Sequence, residues 1–365
     1  MQMDLEERIE LITKEPVEEL ITLEELKQLL ETKAHPIAYN GFEPSGPVHL
    51  GTGLICAYKM KDLIAAGVKV KILLATYHAW INNKLGGDME LIKLAADHFK
   101  HSWIALGVPE DKVEFIYAHE IYEDLEYWNL VLKIAKEVTI TRAKRTLEIA
   151  GRDEVEARKV ADLLYTPMQV ADIFYLNVDI CQLGMDQRKA NVLAREIAPK
   201  LGYPKPICLH HHLLQGLMKP PVWPLGKEEK KRLLSKIKMS KSIPGTAIFI
   251  YDSPEEIRAK IRKAFCPPRE IEFNPIIDIV KYIAFRERDT LSVRLSRRYG
   301  ERMKEYTSYR ELIEDYRRGL IHPLDLKYTI AELLIEILKP VREYFEKNSS
   351  ARRTLDIIKK ARITR

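Results

Sequence analysis

Residues 39–53 read Tyr39-Asn40-Gly41-Phe42-Glu43-Pro44-Ser45-Gly46-Pro47-Val48-His49-Leu50-Gly51-Thr52-Gly53. A short apolar run, Ile37 to Phe42, predicts a strand leading into this glycine- and proline-rich stretch. Beyond it Leu50, Leu54, Ala57, Met60 and Ile64 recur at helical spacing, and Gly67 supplies a C-terminal stop. Val68 to Ala75 then reads as a buried strand. Strand, loop, helix and strand in this order predict a parallel βαβ unit with a right-handed crossover. Ligands of such sheets bind beyond the carboxyl ends of the strands. The glycines let the backbone approach a ligand, the helix start offers free N–H groups to an anion, and His49 adds a side-chain donor. Gly46 and Gly51 have the G-x-x-x-x-G spacing of a phosphate loop, but Thr52 follows where such a loop carries lysine. A phosphate site here needs its positive charge from elsewhere.

Outward from this unit, residues 4–33 read as helical, with a cap at Thr22 before Leu23-Glu24-Glu25. Residues 88–106 predict an amphipathic helix and Val113–Tyr117 a strand. The pattern from 121 to 164 is helical and charged, broken at Gly151, and is too long for a simple crossover; a helical insertion is expected. Residues 167–176 and 191–201 continue the α/β pattern. Met218 to Ser242 contains Pro220, Pro221 and Pro224 and then the lysine-rich GKEEKKRLLSKIKMSKS, which reads as a mobile loop. From Ser253-Pro254-Glu255-Glu256, a helix start, the chain reads as mostly helical to its end. The expected fold is α/β: a Rossmann-like parallel-sheet domain with a helical insertion, followed by an α-helical domain. The segments are 1–35 (N-terminal, helical), 36–225 (sheet domain, insertion about 121–164), 226–252 (mobile loop) and 253–365 (helical, with a basic tail).

The chain has 365 residues, enough for a large core and more than one domain. Charged residues make up 31%, above the usual quarter, in the direction of a heat-adapted surface. The net charge is +6, and residues 350–365 hold most of it: Arg352, Arg353, Lys359, Lys360, Arg362 and Arg365 against Asp356 alone. A basic tail on a nearly neutral body fits a polyanionic partner, and equally a solvated tail. Cys56, Cys181, Cys208 and Cys266 are far apart in sequence with no C-x-x-C, so reduced thiols in a cytoplasmic protein are expected. The acidic N-terminus has no apolar signal region, and no apolar run reaches membrane-spanning length. Adjacent histidines such as His210-His211-His212 converge poorly on one ion, so no bound metal is expected in the protein.

The missing charge has a source in Lys238-Met239-Ser240-Lys241-Ser242, which offers two ammonium groups, two hydroxyls and an apolar anchor on a loop able to close over a triphosphate. Together, His49-Leu50-Gly51-Thr52 and KMSKS at 238–242 resemble the paired H-I-G-H and K-M-S-K-S motifs of class I aminoacyl-tRNA synthetases. The resemblance covers nearly the whole chain and is greatest to the tyrosyl-tRNA synthetases of archaeal and eukaryotic type. It runs through Gly41-Phe42-Glu43-Pro44-Ser45-Gly46, Gln169-Val170-Ala171-Asp172-Ile173, Gly184-Met185-Asp186-Gln187-Arg188-Lys189 and His322-Pro323-Leu324-Asp325-Leu326-Lys327. Thr52 departs from the motif, standing where its last histidine would be; a hydroxyl donates to phosphate but carries no charge.

The resemblance implies a tyrosine–tRNA ligase. Tyrosine's carboxylate attacks the α-phosphate of ATP, magnesium pyrophosphate leaves, and a ribose hydroxyl of the terminal adenosine of tRNA(Tyr) then takes the tyrosyl group. His49, Gly51, Thr52, Lys238 and Lys241 are implied in catalysis, and Gly41, Glu43, Met239, Ser240 and Ser242 with them in binding ATP. Asp172 is implied to accept the substrate's phenolic proton and Tyr39 to donate to it, with Tyr165, Gln169 and Gln187 holding the α-ammonium. Read from the residues alone, Tyr165, Gln169 and Asp172 share one helix face at i, i+4 and i+7, and the apolar Met168, Val170, Ile173 and Phe174 around them argue against an exposed face. His78 follows the second strand at its carboxyl end, as a lining residue of the tyrosine pocket or as a core histidine. Arg145 and Arg188 are implied to read the first base pair of the acceptor stem, and Tyr299, His322 and Asp325 to hold the anticodon's first guanine, where an aromatic ring stacks an unpaired base and a carboxylate accepts from its N–H edge. The family is dimeric, and the apolar helices around 121–136 are candidates for the interface. Three other readings compete: a tryptophan-specific synthetase, against which Asp172 with Tyr39 argues; a tRNA-binding module without chemistry, against which the intact KMSKS argues; and a small H-x-G-H nucleotidyltransferase, which has no use for a helical domain and basic tail.

Overall fold

A computed structural model describes residues 3–146, 159–220, 223, 237–241, 245–295 and 302–361. The chain divides into two units. The first comprises residues up to Gly46, Ala57–His212 and the chain from Thr354 onward; the second comprises Pro47–Cys56 and Leu213–Arg353.

The first unit is built on a six-stranded sheet. Its strands are β1 (Val17–Ile21), β2 (Ile37–Phe42), β3 (Lys69–Leu74), β4 (Val113–Tyr117), β5 (Ile180–Gly184) and β6 (Ile207–His211), in the order β1-β6-β5-β2-β3-β4. All neighbours from β6 to β4 are parallel, and β1 runs antiparallel along β6. The chain moves from β2 outward through β3 to β4, then returns to the far side of β2 for β5 and β6. That reversal makes a topological switch point between β2 and β5, where Tyr39 and Cys181 are in register. The carboxyl ends of those two strands lead into Glu43 and into Met185–Gln187.

The strand, helix and strand expected around residues 37–75 form as β2, Cys56–Ala65 and β3, and Gly67 turns the chain with φ +75°. Residues 4–33, read above as helical throughout, instead form the helices Leu5–Thr13 and Leu23–Thr32 with β1 between them. The edge position explains the difference: Val17, Leu20 and Ile21 are only half-buried and Glu18 and Glu19 stand between them, so the run does not read as a buried strand. Thr22 caps the second helix as its sequence suggests, with Oγ1 accepting from Glu25 N–H at 3.2 Å while the Glu25 carboxylate accepts from Thr22 N–H at 3.2 Å. Lys59 closes the first helix. Fully buried, its Nζ donates to the carbonyls of Leu11, Ile12 and Lys14 at 3.1–3.2 Å and to Asp62 at 3.1 Å, satisfying the orphan acceptors of a helix end.

Helices Leu125–Glu137 and Val160–Tyr175 pack on each other, and Tyr39, Leu73, Tyr127, Val131, Met168 and Ile173 belong to one buried cluster. The end of the helix Ser349–Lys360 also belongs to this unit. Ile358 is buried against Ala79, Leu85, Ile92 and Ala95, and Thr354 Oγ1 lies 3.5 Å from His98 Nδ1.

The second unit holds the helices Pro254–Lys263, Tyr309–Arg318, Pro323–Ile337 and Lys339–Lys347. Pro254–Lys263 packs on Pro323–Ile337, and Arg258 makes a two-pronged contact with Glu332 at 2.7 and 2.9 Å. The expectation of helix to the chain end misses an antiparallel hairpin, β7 (Leu291–Leu295) with β8 (Arg302–Tyr306). Leu291, Val293 and Leu295 are buried and Ser292 and Arg294 exposed, the two-residue period of a half-buried strand. The turn after Cys266 runs from Pro267 to Glu270, whose N–H donates to the Pro267 carbonyl at 3.4 Å, and Tyr316 Oη donates to the same carbonyl at 2.8 Å. None of the four cysteines forms a disulfide. Among the described residues, no helix is long and apolar enough to cross a membrane.

Candidate active site

In the first unit the polar face of the helix Val160–Tyr175 is buried rather than exposed. Asp172 is 1% exposed, and its Oδ1 accepts from Tyr122 Oη and from Tyr127 Oη, each at 2.8 Å. Burial pushes its carboxyl up to about 7, against the pull of those two phenols. His78 lies beside it, with Nε2 3.9 Å from Asp172 Oδ2 and Nδ1 3.3 Å from Tyr122 Oη. Burial lowers this imidazole to about 4, so it is neutral at pH 7. Tyr39 is buried in β2; burial and then the Asp172 charge push its phenol well above the ordinary range. Its ring folds back over Gly41, where a Cβ would sit 2.6 Å from the Tyr39 hydroxyl, so β2 needs a glycine at that point.

Two turns back along the same helix, Tyr165 Oη donates to Glu43 Oε1 at 2.6 Å, and its ring meets the His78 ring edge-on at 4.5 Å. Glu43 also accepts from Asn82 Nδ2, and Lys84 Nζ stands 3.9 Å from its other oxygen. Gln169 Nε2 donates to Gln187 Oε1 at 3.2 Å. Tyr39, Glu43, His78, Tyr165, Gln169, Asp172 and Gln187 thus share the first unit, where Tyr165 meets Glu43 and His78, His78 lies beside Asp172, and Gln169 meets Gln187. Sequence reading did not find Tyr122, Tyr127, Asn82 or Lys84. Tyr122 and Tyr127 stand five apart in Tyr122-Glu123-Asp124-Leu125-Glu126-Tyr127-Trp128, with no spacing that points to Asp172.

The second unit holds both halves of the phosphate constellation. Residues 48–50 are strapped to 248–250: Leu50 N–H donates to the Ile248 carbonyl at 3.0 Å and Ile250 N–H to the Val48 carbonyl at 3.1 Å. His49 Nδ1 accepts from the N–H groups of Gly51 and Thr52 at 3.2 and 3.4 Å, so the ring hydrogen sits on Nε2, 3.1 Å from Thr52 Oγ1. Burial first, and then the charges of Lys241 and Lys238, lower His49 to about 3. The histidine is a neutral donor, and the two lysines reach it electrostatically from 190 residues along the chain. A Cβ at Gly51 would sit 3.2 Å from His49 Cε1, which accounts for the glycine between them. Lys238 pairs with Gln215, Met239 is buried with its N–H on the Leu214 carbonyl at 2.7 Å, and Thr246 Oγ1 donates to the Ser240 carbonyl at 2.7 Å. Ser242 lies outside the described residues, as do 226–236 of the same loop.

Of the implied tRNA contacts, Arg145 and Arg188 lie in the first unit and are exposed. Arg188 Nε donates to both Glu19 oxygens at 2.8–2.9 Å, and Lys189 Nζ donates to the Arg145 carbonyl at 3.3 Å. His322 caps the helix Pro323–Ile337, accepting from Leu324 N–H at 3.2 Å, and Asp325 Oδ2 is buried with no hydrogen-bond partner among the described residues. Tyr299 lies outside the described residues. The three histidines part company: His210 lies on Glu19 and Asn191, His211 on Gln182, and His212 on Glu18.

The model of the family "tRNA synthetases class I (W and Y)" matches residues 31–339. Tyrosine–tRNA ligase of Thermococcus kodakarensis is 50% identical over the full length of both chains. Among solved structures, the tyrosyl-tRNA synthetase of Pyrococcus horikoshii complexed with L-tyrosine superposes with a TM-score of 0.92 at 47% identity, covering 98% of this chain and all of that one. That of Aeropyrum pernix superposes at 0.85 and 43% identity, covering 98% and 99%.

Proposed function

The chain belongs to the class I tRNA synthetases of the tryptophan and tyrosine group, and from that premise we propose how its residues divide the work of joining tyrosine to tRNA. The reaction is tyrosine activation by ATP to tyrosyl-adenylate and pyrophosphate, followed by transfer of tyrosyl to the terminal adenosine of tRNA(Tyr). A carboxylate is already a nucleophile at pH 7 and needs no general base, so the protein's contribution is alignment and stabilisation of phosphate charge.

Asp172 accepts the substrate's phenolic hydrogen and Tyr39 donates to its oxygen, while Tyr165, Gln169 and Gln187 offer acceptors to the α-ammonium. Gly41, Glu43, His49, Gly51 and Thr52 receive ATP. Lys238 and Lys241, with Met239, Ser240 and Ser242, bring positive charge to the β- and γ-phosphates of ATP, charge that Mg2+ accompanying the nucleotide would supplement, and Thr52 passes on the hydrogen-bonding capacity of His49 in place of a second histidine. Arg145 and Arg188 meet the acceptor end of tRNA; Tyr299, His322 and Asp325 meet the anticodon, where a carboxylate accepts from the N–H edge of guanine. The working form is a cytoplasmic homodimer in which a second copy covers Leu125, Leu132 and Ile140, which are 72%, 61% and 66% exposed.

The observation that carries tyrosine rather than tryptophan is the buried Asp172 carboxylate, one oxygen taken by two phenols and the other open beside a neutral imidazole. Amino-acid-dependent exchange of pyrophosphate into ATP, run without tRNA for all twenty amino acids, tests it. Exchange with tyrosine alone is expected. Exchange with tryptophan overturns the pocket assignment, and no exchange with any amino acid overturns the phosphate assignment.

A further inference from the structure

We propose that Tyr122 and Tyr127 are positioning residues for amino-acid selection, holding Asp172 as an ionised acceptor with one oxygen turned to the substrate. The inference rests on the reading of Asp172 as the partner of the substrate phenol. Its evidence is the asymmetry of hydrogens around that carboxylate. Both phenols donate to Oδ1 at 2.8 Å, and Tyr127 shares its hydrogen with the Met168 carbonyl at 3.2 Å. Because the Tyr122 hydrogen is directed at Asp172, its oxygen can only accept from His78 Nδ1, 3.3 Å away. That assignment puts the imidazole hydrogen on Nδ1 and leaves Nε2 a bare lone pair, buried without a hydrogen-bond partner among the described residues and 3.9 Å from Asp172 Oδ2. Two acceptors therefore face each other across the Oδ2 side, and a group that satisfies them must bring a hydrogen. Tyrosine brings one there and phenylalanine does not.

The phenols are held as firmly as their task requires. Their rings stack at 4.2 Å with 19° between planes, Tyr127 is fully buried, and Trp128 Nε1 donates to the Tyr122 carbonyl at 2.8 Å. The groups facing Asp172 are Tyr122 and Tyr127, His78 from the helix Thr76–Ile81 and Tyr39 from β2. Since burial works against ionisation of Asp172, the two donated hydrogens are what keep its charged form accessible at neutral pH.

The test uses the full-length enzyme with Tyr122→Phe, Tyr127→Phe, the double variant and, as a companion, Asp172→Asn. Each is assayed by pyrophosphate exchange with tyrosine and with phenylalanine from about pH 6 to about pH 9, and melting temperatures are recorded. For each hydroxyl removed, the acid limb of kcat/KM for tyrosine is expected to move up by about one pH unit, and the tyrosine-to-phenylalanine preference at pH 7 to fall about tenfold, with the KM for ATP unmoved. Raising the pH is expected to rescue the phenylalanine variants but not Asp172→Asn. Loss of melting temperature with the acid limb and the preference unchanged in the phenylalanine variants, while Asp172→Asn loses the preference, overturns this inference and leaves the pocket standing. An unchanged preference in Asp172→Asn overturns the pocket itself.

Discussion

Replacing Asp172 with asparagine is expected to make the protein more stable and less selective, by an amount that depends on pH. Burial raises the Asp172 carboxyl from the ordinary 3.8 to about 7. The folded state then binds a proton that the unfolded chain has already released, so between about pH 4 and pH 7 stability falls as pH rises. Three units at 1.36 kcal/mol each give a cost of about 4 kcal/mol once the pH exceeds both values. The amide escapes that cost while keeping the shape: its carbonyl oxygen still accepts from Tyr122 and Tyr127, and its N–H is offered toward the unpartnered His78 Nε2. Guanidinium denaturation of the two proteins should show an advantage for Asp172→Asn that grows by about 3 kcal/mol between about pH 5 and about pH 8 and then levels off. In the same preparations the preference for tyrosine over phenylalanine should collapse, because the open acceptor has become a donor. A stability difference that does not change with pH would refute the reasoning, since it would mean that Asp172 is ionised in the fold throughout that range.

Three further outcomes follow from the geometry. Lys238→Ala and Lys241→Ala should each lower the single-turnover rate of adenylate formation while leaving the KM for tyrosine nearly unchanged; a normal burst in both removes the lysines from the chemistry. Gly41→Ala introduces a methyl 2.6 Å from the Tyr39 hydroxyl, and should destabilise the fold by about 1–3 kcal/mol and raise the KM for tyrosine, read by thermal melts and exchange kinetics. Asp325→Ala should weaken charging of tRNA(Tyr) while pyrophosphate exchange stays intact, and equal loss of both activities would refute an anticodon role.

The central strands and their helix were legible because β2 and β3 are dense apolar runs flanking a 3.6-residue period that stops at Gly67. β1 was not: Val17-Glu18-Glu19-Leu20-Ile21 is an edge strand whose two acids, at 18 and 19, reach His212, and His210 and Arg188. Such a strand resembles charged helix until its partner, β6, is known. The β7 alternation is present in the sequence but is hidden by the helical patterns on either side of it. Within the site, periodicity showed that Tyr165, Gln169 and Asp172 share a face, since that is a property of one helix. It gave no access to Tyr122 and Tyr127, which meet Asp172 from 50 and 45 residues away, nor to Lys59, a cation whose burial depends on carbonyls more than 40 residues upstream. Local spacing reports which side chains point together; which of them meet is a property of topology.

The return of the last helix to the first unit sets the timing of the protein's birth. Ile358 completes the cluster of Ala79, Leu85, Ile92 and Ala95, yet a ribosome adding about 5–20 residues per second makes it some tens of seconds after Ile92. Until then a nascent chain carries the sheet with that apolar patch uncovered, while the whole of Leu213–Arg353 emerges in between. The first unit, although it starts first, is the last to be finished. Chains halted before Thr354 would therefore present the exposed patch to chaperones and proteases, and a quality-control system that reads exposed apolar surface would in effect be reading whether synthesis had passed Ile358.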